Sequence, residues 1–161
     1  MPKAIVVGIP TTNRERDFLP GRDKNPPTGD GANNFLRFIT KELFPYIEKQ
    51  YKADTYRILI GHSYGGLFAM HALITQPDAF EGFVMIDPSF WFDSKMMVKK
   101  TAEFLQGRQN LPKVVYISGV EGSNWHGMAN DAMDSVLKTD APKDLRWKTL
   151  AYANENHGSV P

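Results

Sequence analysis

The sequence predicts an α/β fold: a three-layer α/β/α arrangement around a mostly parallel sheet of about five strands. Three observations carry that expectation. Short runs rich in β-branched residues alternate with longer segments of helical periodicity. The short runs are continuously apolar, the pattern of strands covered on both faces. No repeat, low-complexity tract or shift in composition divides the 161 residues, so the length gives one domain, residues 1–161.

The elements follow in order. Ala4-Ile5-Val6-Val7-Gly8-Ile9 reads as a first buried strand. Residues 10–31 carry Pro20, Gly21, Pro26, Pro27 and Gly29 among many charges, which predicts an extended, functional loop. Phe35, Leu36, Ile39, Leu43 and Ile47 recur at helical spacing over residues 32–51. Pro45 lies inside that helix and must kink or restart it, because it lacks the N–H and crowds the preceding turn. Strands are expected at 57–60, 83–86, 114–118 and 147–151, and helices at 65–74, 94–105 and 126–138. Such alternation implies right-handed crossovers, helices on both faces, and functional groups at the carboxyl ends of the strands.

Composition narrows the chemistry. Lys and Arg number 19 against 18 Asp and Glu, a formal net charge of +1, and no basic block interleaves with aromatics. No nucleic-acid partner is expected. The absence of cysteine excludes disulfides, thiolate metal sites and cysteine nucleophiles. No metal or other cofactor is expected. No apolar run approaches the roughly 20 residues of a membrane helix. Residues 1–8 lack a basic stretch followed by a long apolar one, so no secretory signal is expected in the chain as it stands.

The strand end at residue 60 carries the strongest signal. Gly61-His62-Ser63-Tyr64-Gly65-Gly66 is G-x-S-x-G between a buried strand and an apolar helix, the context of a nucleophile elbow. The serine sits on a tight turn, where glycines two before and two after avoid collisions of a Cβ. The N-terminus of the next helix then faces the place where an oxyanion forms, with the Tyr64 N–H as its donor. Serine needs a base to take its proton. Of four histidines, His62 lies in the elbow and is expected to point elsewhere, and His71 lies inside the apolar helix. His126 stands near a helix start, and His157 follows the last strand. Chain order favours His157 as base. The orienting acid should fall between them, after a strand. Glu121 and Asp87 both qualify; strand position favours Glu121, while Asp87-Pro88 reads better as a turn cap.

Together, residues 61–69, then Asp87-Pro88-Ser89-Phe90-Trp91-Phe92, then His157-Gly158-Ser159 resemble the family described as "Putative esterase" within the α/β-hydrolase superfamily. Val6-Val7-Gly8-Ile9-Pro10 and the segment from Arg14 to Pro20 resemble its siderophore-esterase-like branch. The resemblance implies a Ser-His hydrolase of small carboxylic esters, siderophore-type or aryl, sometimes with a weak or absent acid. It supports Ser63 and His157, and to a lesser degree Glu121. It also implies that Arg16, Trp91 and Phe92 border the substrate cleft.

The same resemblance implies a further βαβ stretch ahead of the strand at 4–9, whose loop supplies a second oxyanion N–H. In this sequence that stretch is missing. Loss of one such donor costs about 10²–10³ in turnover. A non-catalytic fragment and an acyltransferase are therefore the alternatives to an esterase. An interior strand turned into an edge would also need cover, which predicts self-association through the side of residues 4–9.

Overall fold

The computed structural model describes residues 4–21 and 31–161, and of Ser123 the backbone alone. Internal contacts divide the chain into two compact units, Met1–Thr55 and Tyr56–Pro161.

The first unit is helical. Helix α1 (Arg14–Phe18) is capped by Asn13, whose side chain accepts the Arg16 N–H. Helix α2 (Gly31–Phe38) meets it closely, since a Cβ on Gly31 would lie 1.7 Å from the Arg16 carbonyl oxygen. Phe18 packs edge-on against Phe35 with ring centroids 5.5 Å apart. A π-helical turn, Ile39–Leu43, then leads into α3 (Phe44–Tyr51). Pro45 is the second residue of α3, directly after the π-helical turn, in which the Phe44 N–H reaches back to the Ile39 carbonyl. The expected helix over 32–51 thus passes its proline by way of a π-helical turn.

Two expectations for this unit change. Residues 4–9 form no strand, and Ile5 and Val6 are exposed. β-branched residues supply only a preference; a strand also needs a neighbour to bond, and the unit contains no strand among its described residues. The expected loop at 10–31 contains α1, and its residues 22–30, with Pro26, Pro27 and Gly29, lie outside the described residues.

The second unit holds the sheet: β1 (Ile58–His62), β2 (Gly82–Ile86), β3 (Val114–Val120) and β4 (Arg146–Tyr152), all parallel and neighbours in that order. The crossovers carry α4 (Tyr64–Thr75), α5 (Phe92–Leu105), and the pair α6 (Ser123–Gly127) and α7 (Asn130–Asp140). Strands added in one direction by right-handed crossovers place these helices on one face. Burial agrees: Phe83, Met85, Val115 and Ile117 are closed off, while Ile58, Ile60 and Val114 on the other set of positions are exposed. The four later expected strands therefore form, each within a residue or two of its expected limits, and the sheet has four strands where five were expected. Helix α4 is buried along most of its length, as an apolar helix must be. The expected helix at 126–138 breaks at Ala129, whose φ of 61° is left-handed. In α5 the first turn winds left-handed through Asp93, Ser94 and Lys95.

The elbow explains its own glycines, with one change. A Cβ on Gly61 would sit 2.1 Å from the Gly65 carbonyl oxygen, and one on Gly66 would sit 2.8 Å from Pro88 Cβ. A Cβ on Gly65 would meet nothing within 4 Å, so the crowded positions are 61 and 66. We predict that Gly61→Ala and Gly66→Ala each lower stability by about 1–3 kcal/mol, the usual range for overpacking. Gly65→Ala should leave stability unchanged or raise it by up to about 1 kcal/mol, because alanine suits a helix better than glycine. Urea unfolding of the three variants measures the contrast.

Candidate active site

Strand β1 delivers Ser63 into a conformation that side-chain-bearing residues seldom adopt, with φ 59° and ψ −119°. Two bonds pin it: the Ser63 N–H donates to the Ile86 carbonyl at 2.9 Å, and its own carbonyl accepts the Ser89 N–H at 3.2 Å. The turn after β1 is thereby tied to the end of β2. Such strain persists only where the surroundings enforce it, and it concentrates at functional sites. Ser63 Oγ lies 3.3 Å from Ser89 Oγ, and Ser89 is buried.

The base candidate arrives from the other end of the sheet. His157 lies in the turns after β4, with its side chain about half exposed. Its Nδ1 is 2.6 Å from Asp87 Oδ2. A carboxylate only accepts, so Nδ1 carries the hydrogen and Nε2 is left as the basic nitrogen. Asp87 is completely buried, and Oδ2 also accepts from Asn124 Nδ2 at 3.2 Å. Its backbone is left-handed at φ 40°, and its N–H donates to the Ser118 carbonyl at 2.8 Å. Gly119 makes room beside it, since a Cβ there would lie 3.0 Å from Asp87 Oδ1 and 2.7 Å from Asn130 Nδ2.

The carboxylate on His157 is therefore Asp87, and the expectation of Glu121 is corrected. The register gives the reason. β2 stops at Ile86, level with Ser118 of β3. β3 and β4 run on together to Val120 and Tyr152, and the Glu121 N–H donates to the Tyr152 carbonyl. Glu121 is thus carried past the end of β2 and lies exposed. His157 folds back over the shorter strand.

Ser63, Tyr64, Ser89, Trp91, Met128 and His157 line one cavity of about 350 Å³, with Asn124 beside them. Trp91 lines this cavity. Phe92 does not: it is buried behind Trp91 and Tyr64, with centroids 6.4 and 6.2 Å away, as an apolar ring heading the packed part of a helix tends to be. Tyr64 opens α4 directly after Ser63. Arg16 belongs to the first unit, where its Nε is 2.6 Å from Asp17 Oδ1. Hydrogen bonding from Arg16 holds the Asp17 carboxyl below its ordinary range, and Thr11 adds a further bond.

The remaining histidines separate. His71 is buried in α4 beside Thr75. His126 bonds Asp131 at 2.9 Å and holds that carboxyl below its ordinary range. His62 is not turned away from the site, as expected, but meets the backbone of His157. Ser89 is the residue the sequence reading passed over, although it stands in the Asp87-Pro88-Ser89 segment. Among the described residues no group of three or more His, Asp or Glu is placed to hold a metal ion.

The pattern of the family described as "Putative esterase" matches residues 1–151. The chain belongs to that family. The ferri-bacillibactin esterase BesA of Bacillus subtilis (strain 168) is 32% identical over 181 aligned positions, covering 98% of this chain and 63% of BesA. The siderophore enterobactin esterase of Emericella nidulans is 35% identical over 123 positions, 64% of this chain and 41% of that protein. An IroE-like serine hydrolase from Shewanella oneidensis superposes with a TM-score of 0.76 at 32% identity, over 92% of this chain and 53% of its own. This family member has the α/β-hydrolase fold, and it spans less than two thirds of the length of these relatives.

The bond between His157 and Asp87 has a direct spectroscopic consequence. The Nδ1 proton, held by a buried carboxylate, should give a downfield proton resonance. That signal is expected to vanish in Asp87→Ala and to persist in Glu121→Gln; the opposite pattern would return the orienting role to Glu121.

Proposed function

We propose that this chain hydrolyses small carboxylic esters through an acyl-enzyme on Ser63. The observation that carries the reading is the shared cavity: a strained serine and a histidine backed by a buried carboxylate line the same 350 Å³ space. Ser63 Oγ attacks the ester carbonyl carbon while His157 Nε2 takes its proton. Asp87 keeps the imidazole in the tautomer that makes Nε2 basic, and offsets the charge that forms. The oxyanion develops beside the start of α4, where the Tyr64 N–H and the helix dipole oppose the negative charge. Collapse expels the alcohol, which collects the proton from His157. Water then attacks the acyl carbon with His157 again as base, releasing the acid and restoring the serine.

The substrate class rests on the wall and on the relatives. Trp91 stands 45% exposed at the cavity, a flat apolar surface for an aryl group. The relatives are named as esterases of siderophores. Both support siderophore-type or aryl esters. The family pattern runs through both units, which supports treating residues 1–161 as one catalytic domain.

A fluorophosphonate probe is expected to label Ser63, and Ser63→Ala to abolish labelling. With a chromogenic aryl acetate, Asp87→Asn should lower kcat by about 10⁴, the loss that follows from fixing the wrong imidazole tautomer. Labelling that survives Ser63→Ala removes the reading. Release of an ester product only when an alcohol acceptor is added would move the assignment to acyl transfer.

We also propose self-association. In the second unit Ile58 and Ile60 leave apolar area in water, and β1 bonds a neighbour on one side alone among the described residues. Sedimentation is expected to show dimers or larger species as concentration rises. A monomer at every concentration would dismiss this contact.

A further inference from the structure

We infer that His62 is a positioning residue for the base, acting through the backbone of His157; the inference rests on the proposed roles of Ser63 and His157. His62 ends β1 and directly precedes Ser63. Its Nε2 lies 2.6 Å from the His157 carbonyl oxygen, across 95 positions of sequence. A carbonyl oxygen cannot donate, so the hydrogen is on His62 Nε2. The two imidazole rings lie 4.5 Å apart with planes tilted by 41°.

The bond matters because of how the segment after β4 is otherwise held. Its turn is folded on itself: the Ser159 and Val160 N–H groups donate to the Asn156 carbonyl, and the Gly158 N–H donates to Asn156 Oδ1. None of these bonds fixes the segment against the sheet. Among the described residues, two hydrogen bonds reach from it to the rest of the second unit. One runs from His157 Nδ1 to Asp87, the other from His62 to the His157 carbonyl. The first sets the tautomer and the ring direction. The second holds the Cα that carries the ring, and it does so from the residue adjoining the nucleophile. The separation of nucleophile and base is thereby spanned by one peptide link and one hydrogen bond. Displacements of about 1 Å in such a pair cost about 10²-fold in rate.

The test separates the donor from the ring and the tether from the chemistry. His62→Gln places an amide N–H where Nε2 stood; His62→Phe keeps the ring and removes the donor. Two quantities are read on the whole chain: the rate of fluorophosphonate labelling at Ser63, and amide hydrogen exchange over residues 153–159. We expect His62→Phe to slow labelling by about tenfold or more and to speed exchange over 153–159, with His62→Gln within about threefold of the parent in both. With an ester substrate the loss should fall on kcat and leave KM unchanged, since His62 is not among the residues that line the cavity. Phe and parent behaving alike overturns the inference, as does Gln failing in the manner of Phe, which would assign the effect to the ring. A parent chain that takes no label at Ser63 overturns the hydrolase reading itself. That failure is told apart from loss of the tether because the exchange comparison of Phe with Gln does not depend on turnover.

Discussion

A carboxylate with no exposure to water has to be compensated, and around Asp87 the hydrogen bonds gather on one oxygen, Oδ1 having no partner among the described residues. Its Oδ2 takes hydrogens from His157 and Asn124, the first from the segment beyond β4 and the second from α6. Gly119 of β3 gives up its side chain so that the carboxylate fits. An isolated charge in such a place would cost many kcal/mol, whereas a paired and bonded one is tolerated. The requirement therefore draws the ends of β2, β3 and β4 together. An imidazole held in this way is left with one nitrogen that can accept a proton.

The second constraint is steric. Ser63 occupies a left-handed backbone position because β1 must turn at once into α4, and the close passage of Gly61 over Gly65 and of Gly66 over Pro88 admits no side chains. Helix α4 is buried nearly all round, so the elbow cannot relax by letting the helix move outward. Strain at the serine and rigidity behind it are two aspects of one packing arrangement. The bonds from Ser63 and its carbonyl to Ile86 and Ser89 carry that rigidity across to the segment bearing Asp87.

Much of this was legible in the sequence, and the exceptions have physical causes. Apolar runs located β1 to β4, and they are apolar on both sets of positions although Ile58, Ile60 and Val114 stand exposed on one face of the sheet. The elbow pointed to Ser63 and chain order to His157, and the two line one cavity. Residues 4–9 have the composition of a strand, but composition cannot supply the partner that a ladder needs. Glu121 and Asp87 could not be ranked without the register, because the difference between them is how far β3 outruns β2. Phe92 and Trp91 are neighbours of similar chemistry, and only the direction of the turn decides which one faces the cavity. His62 was hidden because its role depends on a backbone carbonyl, an atom every residue has.

The strictly sequential order of the sheet bears on how the molecule is made. Each strand pairs with the one synthesised just before it, so pairing can advance by local steps with modest loop closures, without waiting for distant segments. Ser63 comes off the first strand of this series and His157 comes after the last. In a nascent chain the turn at the end of β1 would be formed before β4 and the segment bearing His157 had emerged, so Ser63 and His157 come together only once all four strands of this sheet have paired.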